Sequence, residues 1–154
     1  MSTTLLVTGA TSGIGEGLAK LAASRGYNVI ACGRNAEKLA QLDAIDNIST
    51  LQFDVTDEHA TRTALAGVHC DIAVLNAGTC EYVDTDAIEP AMFHRVFEPN
   101  FFGVVNCVAA LRANLKTGNQ IVIVDSLARL LPFTRSQAYG ASKAALYYFS
   151  KSLE

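Results

Sequence analysis

The chain lacks the cysteine patterns that build metal sites. Its four cysteines, Cys32, Cys70, Cys80 and Cys107, form no C-x-x-C pair, and no histidine stands at ligand spacing from them. Zinc is therefore not expected, and all four read as reduced, small apolar residues. No basic region precedes the first apolar run, which is only Leu5-Leu6-Val7. A membrane span needs about 20 apolar residues and a signal peptide a basic start, so neither is expected and the reading is cytoplasmic. Positive charge is not in excess: the net charge is −3, with 18% charged residues. That argues against a nucleic-acid or anionic-membrane partner. There is no G-x-S-x-G elbow, and His59, His69 and His94 lie far from Ser126 in sequence, so a serine hydrolase is not expected. What is present is apolar. Half of the 154 residues are hydrophobic, enough for one well-buried domain over residues 1–154.

The apolar residues alternate between strand and helix periods. Residues 4–8 read as a buried strand that runs into Thr8-Gly9-Ala10-Thr11-Ser12-Gly13-Ile14-Gly15. A helix over 14–25 follows, with Leu18, Leu21 and Ala22 inward and Gly26 as its stop. Strand, glycine loop and helix suit a phosphate-binding turn: glycines let the backbone approach a pyrophosphate, and the helix N-terminus offers free N–H groups. The spacing is G-x-x-x-G-x-G, one residue longer than the usual dinucleotide fingerprint. A second strand over 28–32 ends at Gly33-Arg34-Asn35, with no acidic residue to accept from the ribose hydroxyls of NAD. Arg34 is either a fork for a phosphate monoester, which favours NADP over NAD, or a solvated arginine beside an Asn35 helix cap.

A helix over 35–42 (Leu39 and Leu42 inward), a strand over 48–53 and a helix capped by Thr56 or Asp57 come next. Asp54, at a carboxyl strand end, is either an acceptor for an adenine amino group or a turn residue. The fourth strand, 72–75, leads to Asn76-Ala77-Gly78, whose small residues allow close approach to a ligand ribose. A polar loop over 79–89 precedes a long helix over 90–115, in which Pro99 predicts a kink beside Asn100, where a freed carbonyl can hold water. The fifth strand, 120–125, is apolar on both faces, as in a parallel strand covered on both sides, and ends at Ser126. Finally Tyr139 and Lys143 stand four apart on a helix beginning near residue 136. One face then carries both, and a lysine beside a phenol favours the phenolate, giving an acid/base near neutral pH.

Taken together, Thr8-Gly9-x-x-x-Gly13-Ile14-Gly15, Asp54, Asn76-Ala77-Gly78, Asn100, Ser126 and Tyr139-x-x-x-Lys143 resemble the short-chain dehydrogenase/reductases in their single-domain form. Ser126 stands thirteen residues before Tyr139, as the family's serine does. The resemblance implies a Rossmann-like, doubly wound parallel sheet of order 3-2-1-4-5. It implies Tyr139 as proton donor or acceptor at the substrate oxygen. Lys143 would bind the nicotinamide ribose and lower the Tyr139 pKa, Ser126 would polarise the carbonyl, and Asn100 would hold a relay water. Gly9, Thr11, Ser12, Gly13, Ile14 and Gly15 would cradle the pyrophosphate, with Arg34, Asp54, Asn76, Ala77 and Gly78 completing the cofactor site. The implied function is an NADP-dependent oxidoreductase, with NAD the alternative cofactor, acting on a small carbonyl or alcohol.

Three departures bear on that reading. Leu75 stands where the family often has a second asparagine, and Pro99 directly precedes Asn100. Family members also continue into a sixth strand, a Pro-Gly turn, a substrate-covering segment and a seventh strand. The chain is therefore expected to be a fragment ending before the last two strands, with a partner over an open fifth strand as the alternative. A dinucleotide-binding module without turnover is the competing function. A sugar-nucleotide epimerase, which shares Tyr-x-x-x-Lys, fits the glycine spacing less well. The helices from 90 and from 136 are subunit contacts in the family, so a homo-oligomer is expected. Leu146, Tyr147 and Phe149 suit that role or an intramolecular core.

Overall fold

Strict alternation of apolar residues in the strands creates two separate cores. Along β1 (Thr4–Thr8), Leu5 and Val7 enter one core and Leu6 the other. Along β4 (Ile72–Leu75), Val74 joins Leu5 and Val7, while Ala73 and Leu75 join Leu6. A sheet with two apolar faces must be covered twice, and helices do so on each side. A computed structural model describes residues 2–83 and 88–153, so residues 84–87 of the expected polar loop and the terminal Met1 and Glu154 lie outside it.

The sheet is parallel throughout, in the order β3-β2-β1-β4-β5, as expected. Its other strands are β2 (Asn28–Gly33), β3 (Ile48–Gln52) and β5 (Gln120–Ile123). Helices α1 (Gly13–Ser24) and α2 (Ala36–Asp43) serve one face. Helices α3 (Glu58–Leu65), α5 (Gly103–Leu111) and α6 (Gln137–Lys151) serve the other, where Leu146 is fully buried and Phe149 meets Phe101 edge to face at 6.0 Å. The Asn35 and Asp57 side chains accept from Lys38 N–H and Ala60 N–H, capping α2 and α3, so Asp57 rather than Thr56 is the cap. From β1 the chain steps outward through β2 to β3, then crosses back to place β4 and β5 on the other side of β1. This reversal opens a crevice at the carboxyl ends of the strands.

Three expectations are corrected. The inward face of α1 is Gly15, Ala19, Ala22 and Ala23, while Leu21 is 50% exposed. The positions run i, i+4, i+7, i+8, and Gly15 sets the phase by lying directly on Gly9 O. Second, the expected single kinked helix over 90–115 is four pieces. Helix α4 (Pro90–Phe97) passes into a π-helical turn (Glu98–Phe102), then α5, and the run closes with a 3₁₀ turn (Arg112–Asn114). Pro99 has no N–H to give, and the Gly103 N–H reaches five residues back to Glu98 O. Third, β5 is not covered on both sides. It is the edge strand, with Val122 44% exposed, and it stops at Ile123 rather than 125. No helix among the described residues is long and apolar enough to cross a membrane.

Candidate active site

The crevice is a cleft of about 780 Å³ at the carboxyl ends of the strands. Its floor is two turns fastened together. Gly9 takes φ +66°, and a side chain there would meet Ala77 Cα at 2.9 Å. Thr8 Oγ1 accepts from the Asn76 and Ala77 N–H groups at 3.0 and 3.1 Å, and Asn76 Nδ2 donates to Thr8 O at 3.1 Å. The glycine turn and the Asn76-Ala77-Gly78 turn therefore behave as one rigid unit. Gly9, Thr11, Ser12, Gly13 and Ile14 open onto the cleft, and Ile14 is 74% exposed. The Ser12 side chain caps none of the first N–H groups of α1, which leaves that helix end free for an anion. Gly15 does not line the cleft as expected. It is buried under the turn, where any Cβ would strike Gly9 O, and its role is close packing.

Arg34 and Asp54 line the same cleft from the ends of β2 and β3 and pair at 3.2 Å. Asp54 also accepts from Thr56 N–H and Oγ1 at 3.0 and 2.9 Å. Burial works to raise the Asp54 pKa, but the Thr56 and Arg34 contacts outweigh it and hold the carboxyl below the usual carboxylate range. Arg34 is largely exposed, and it lines the cleft while paired with the Asp54 carboxylate.

Tyr139 and Lys143 enter from α6, and both line the cleft with the glycine turn. Lys143 is almost fully buried; its Nζ donates to Val124 O at 2.8 Å and lies 5.7 Å from the centre of the Tyr139 ring. Burial pushes the Lys143 pKa down, and the Asp125 carboxylate pulls against that. Ser126 caps the 3₁₀ turn Leu127–Arg129, its Oγ accepting from Ala128 N–H at 3.2 Å. Accepting that bond leaves the hydroxyl hydrogen free to donate. Ser126 is partly buried and directly follows Val124 and Asp125, which line the cleft.

Asn100 is fully buried, and its side chain is bonded within the protein. Oδ1 accepts from Thr79 N–H at 2.7 Å, and Nδ2 donates to Thr79 O at 2.9 Å and to Ser142 Oγ at 3.0 Å. Ser142 in turn donates to Tyr139 O at 2.7 Å. Asn100 is therefore a clasp between the loop after Gly78 and the helix that carries Tyr139. The sequence reading assigned no role to Thr8, Ser142 or Arg95. Thr8 and Ser142 stand inside recognised motifs, which is a usable signal. Arg95, at the cleft, binds Glu81 (2.9 Å) and Glu89 (3.0 Å), and pairs this distant leave no sequence trace. Three cysteines are buried as expected, but Cys80 is exposed at the cleft. Burial pushes the Cys107 thiol up to about 12.

A parallel sheet of this order, with a glycine turn at its switch point and Tyr139 and Lys143 across the crevice, defines a dinucleotide-binding α/β protein. A sequence model described as short chain dehydrogenase matches residues 3–154, and the chain belongs to that family. It is similar to a serine 3-dehydrogenase of Rhizobium radiobacter, with 36% identity over 99% of this chain and 65% of the relative. It is also similar to an NADPH-dependent 1-acyldihydroxyacetone phosphate reductase of Saccharomyces cerevisiae, with 35% identity over 96% of this chain and 54% of the relative. Among solved structures, the closed form of a serine dehydrogenase complexed with NADP⁺ superimposes with TM-score 0.90 at 30% identity, over 98% of this chain and 65% of that one. The chain thus spans 65% and 54% of the length of these two curated relatives.

Proposed function

We propose that this chain carries the cofactor site and the proton-handling groups of an NADP-dependent oxidoreductase that interconverts a small carbonyl and an alcohol. One observation carries the reading: Tyr139 and Lys143 open into the same cleft as the α1 N-terminus and Arg34. Any ligand that reaches from the helix end to the tyrosine is long, with phosphate at one end and the reacting centre at the other.

The residues fit a dinucleotide phosphate. The cradle at Gly9 is one that a Cβ would fill, and the free α1 N-terminus suits a pyrophosphate. Arg34 offers a planar fork to a ribose phosphate, and its exposed pairing with Asp54 is worth at most about 1 kcal/mol, so exchanging partners is easy. NAD remains the alternative cofactor, and the names of two relatives, one NADPH-dependent and one complexed with NADP⁺, support the phosphorylated form. When bound, the nicotinamide supplies hydride transfer.

The protein's own part is the proton and the substrate oxygen. In reduction Tyr139 Oη gives its proton to the carbonyl oxygen; in oxidation it takes the hydroxyl proton. Ser126 Oγ–H donates to the same oxygen and fixes its position. The Lys143 ammonium, anchored on Val124 O, supplies positive charge beside the phenol. Asn100 holds this arrangement by its clasp on Ser142 and Thr79. A homo-oligomer acting in the cytoplasm belongs to the same reading, and light scattering of the full-length protein tests the assembly. The decisive experiment is Tyr139→Phe in the full-length protein. Turnover should fall by about 10²–10⁴-fold with NADPH affinity unchanged. Retained turnover would sink the assignment.

A further inference from the structure

Asp125 is the residue that the oxidoreductase reading leaves unused. It lies at the cleft wall, directly after the Val124 carbonyl that anchors Lys143. One of its oxygens, Oδ2, is ion-paired with Arg129. The other, Oδ1, is buried with no hydrogen-bond partner among the described residues. Arg129 in turn lies over the Tyr147 ring of α6, its Cζ 3.6 Å from the ring centre, on the helix that carries Lys143. A buried carboxylate oxygen without donors is poorly screened, so its charge acts strongly on the nearest cation.

We infer that Asp125 is a positioning residue that holds Lys143 in its charged form, and that Arg129, fixed on Tyr147, limits how strongly it does so. The inference rests on the oxidoreductase reading for its consequence, but not for its test. The charged and titratable groups near Lys143 are Tyr139 and Tyr147 on its own helix, Asp125 and Arg129 just after β5, and Arg95 and Glu98, which line the cleft from α4 and the π-helical turn. Of these, Asp125 is the one whose charge is felt at Lys143, opposing the burial that strips its proton. The π-helical turn and α4 supply one cation and one anion at the cleft, whereas the β5 end supplies a carboxylate with one oxygen uncommitted.

The two partners of this pair act in opposite directions. Removing the Asp125 charge leaves Lys143 buried beside a released Arg129, so its proton affinity falls. Removing the Arg129 charge leaves the carboxylate to Lys143 alone, so its proton affinity rises. The measurement is an NMR titration of the lysine side-chain amines in the full-length protein, with the Lys143 signal identified by its loss in Lys143→Met. Asp125→Asn should lower the Lys143 proton affinity by about tenfold, and Arg129→Gln should raise it. The bell of the pH–rate profile should move the same way. Asp125→Glu should restore most of the wild-type midpoint. An unmoved midpoint in Asp125→Asn, or one that fails to rise in Arg129→Gln, overturns the inference. Should Asp125→Asn not fold, Arg129→Gln alone decides it. The titration needs no turnover, so an inactive protein with shifted midpoints refutes the oxidoreductase reading and leaves this one standing.

Discussion

Replacing Asn100 by alanine separates a clasp from a merely solvating role. The side chain makes three hydrogen bonds, at 2.7, 2.9 and 3.0 Å, and none of its surface reaches solvent. A typical bond of this kind contributes about 1 kcal/mol net, which sets the loss near 3 kcal/mol. Two features reduce it. Thr79 is exposed, so its N–H and C=O can return to water, and Ser142 keeps its bond to Tyr139 O. One feature increases it: the vacated space lies between α6 and the loop and closes only in part. The expected loss is therefore about 2–3 kcal/mol, read from urea midpoints of the full-length protein at constant slope. Asn100→Asp should be no better, because it keeps the bond from Thr79 N–H but loses both donors and buries a charge. A loss below about 1 kcal/mol in Asn100→Ala would show that the three bonds are replaced by water, and the clasp would have to be abandoned.

Other consequences follow from the cleft. Arg34→Ala should weaken NADPH binding by about tenfold to a hundredfold while leaving NADH unchanged, measured by fluorescence titration; equal losses for both would remove Arg34 from the phosphate site. Gly9→Ala must place a side chain at φ +66° and 2.9 Å from Ala77 Cα, so it should cost about 1–3 kcal/mol from the backbone conformation alone and abolish cofactor binding. An unchanged melting temperature would contradict that packing. The Asp54 carboxyl is held below its ordinary value of 3.8, so its contribution is present above that pH and lost as pH falls through the lowered value. Asp54→Asn should flatten the acid limb of stability against pH, and an identical limb in both proteins would refute the Thr56 and Arg34 contacts as its cause.

The sequence was most readable where a local period or a local constraint acts alone. Short apolar runs located β1 and β4, and Gly26, Asn35 and Asp57 mark helix ends because each satisfies backbone groups nearby. On α1 Ala22 is buried and Leu18 packs on the core as expected, but Leu21 is exposed: apolar period favours it, whereas contact between Gly15 and the Gly9 carbonyl decides how the helix rolls. That contact is made across a turn and has no hydrophobic signature. The π-helical turn shows a similar limit: Pro99 predicts a broken hydrogen bond but not how the chain repairs it.

At the site the difference is one of chemistry rather than position. Spacing brought Tyr139, Lys143, Arg34 and the glycine turn into one cleft, yet it cannot say what a polar side chain bonds to. Asn100 was expected to hold a water, and its side chain is bonded to Thr79 and Ser142, partners that spacing does not name. Ser126 was expected to face the ligand; its Oγ caps the 3₁₀ turn that begins just past Val124 and Asp125, a bond that spacing does not announce. The Asp125 to Arg129 to Tyr147 chain was invisible because its links join a strand end, a 3₁₀ turn and a helix. Each link alone looks like an ordinary surface pair. Only their sum, ending in a buried oxygen beside the lysine anchor, gives the pair an effect on the charge that the tyrosine works against.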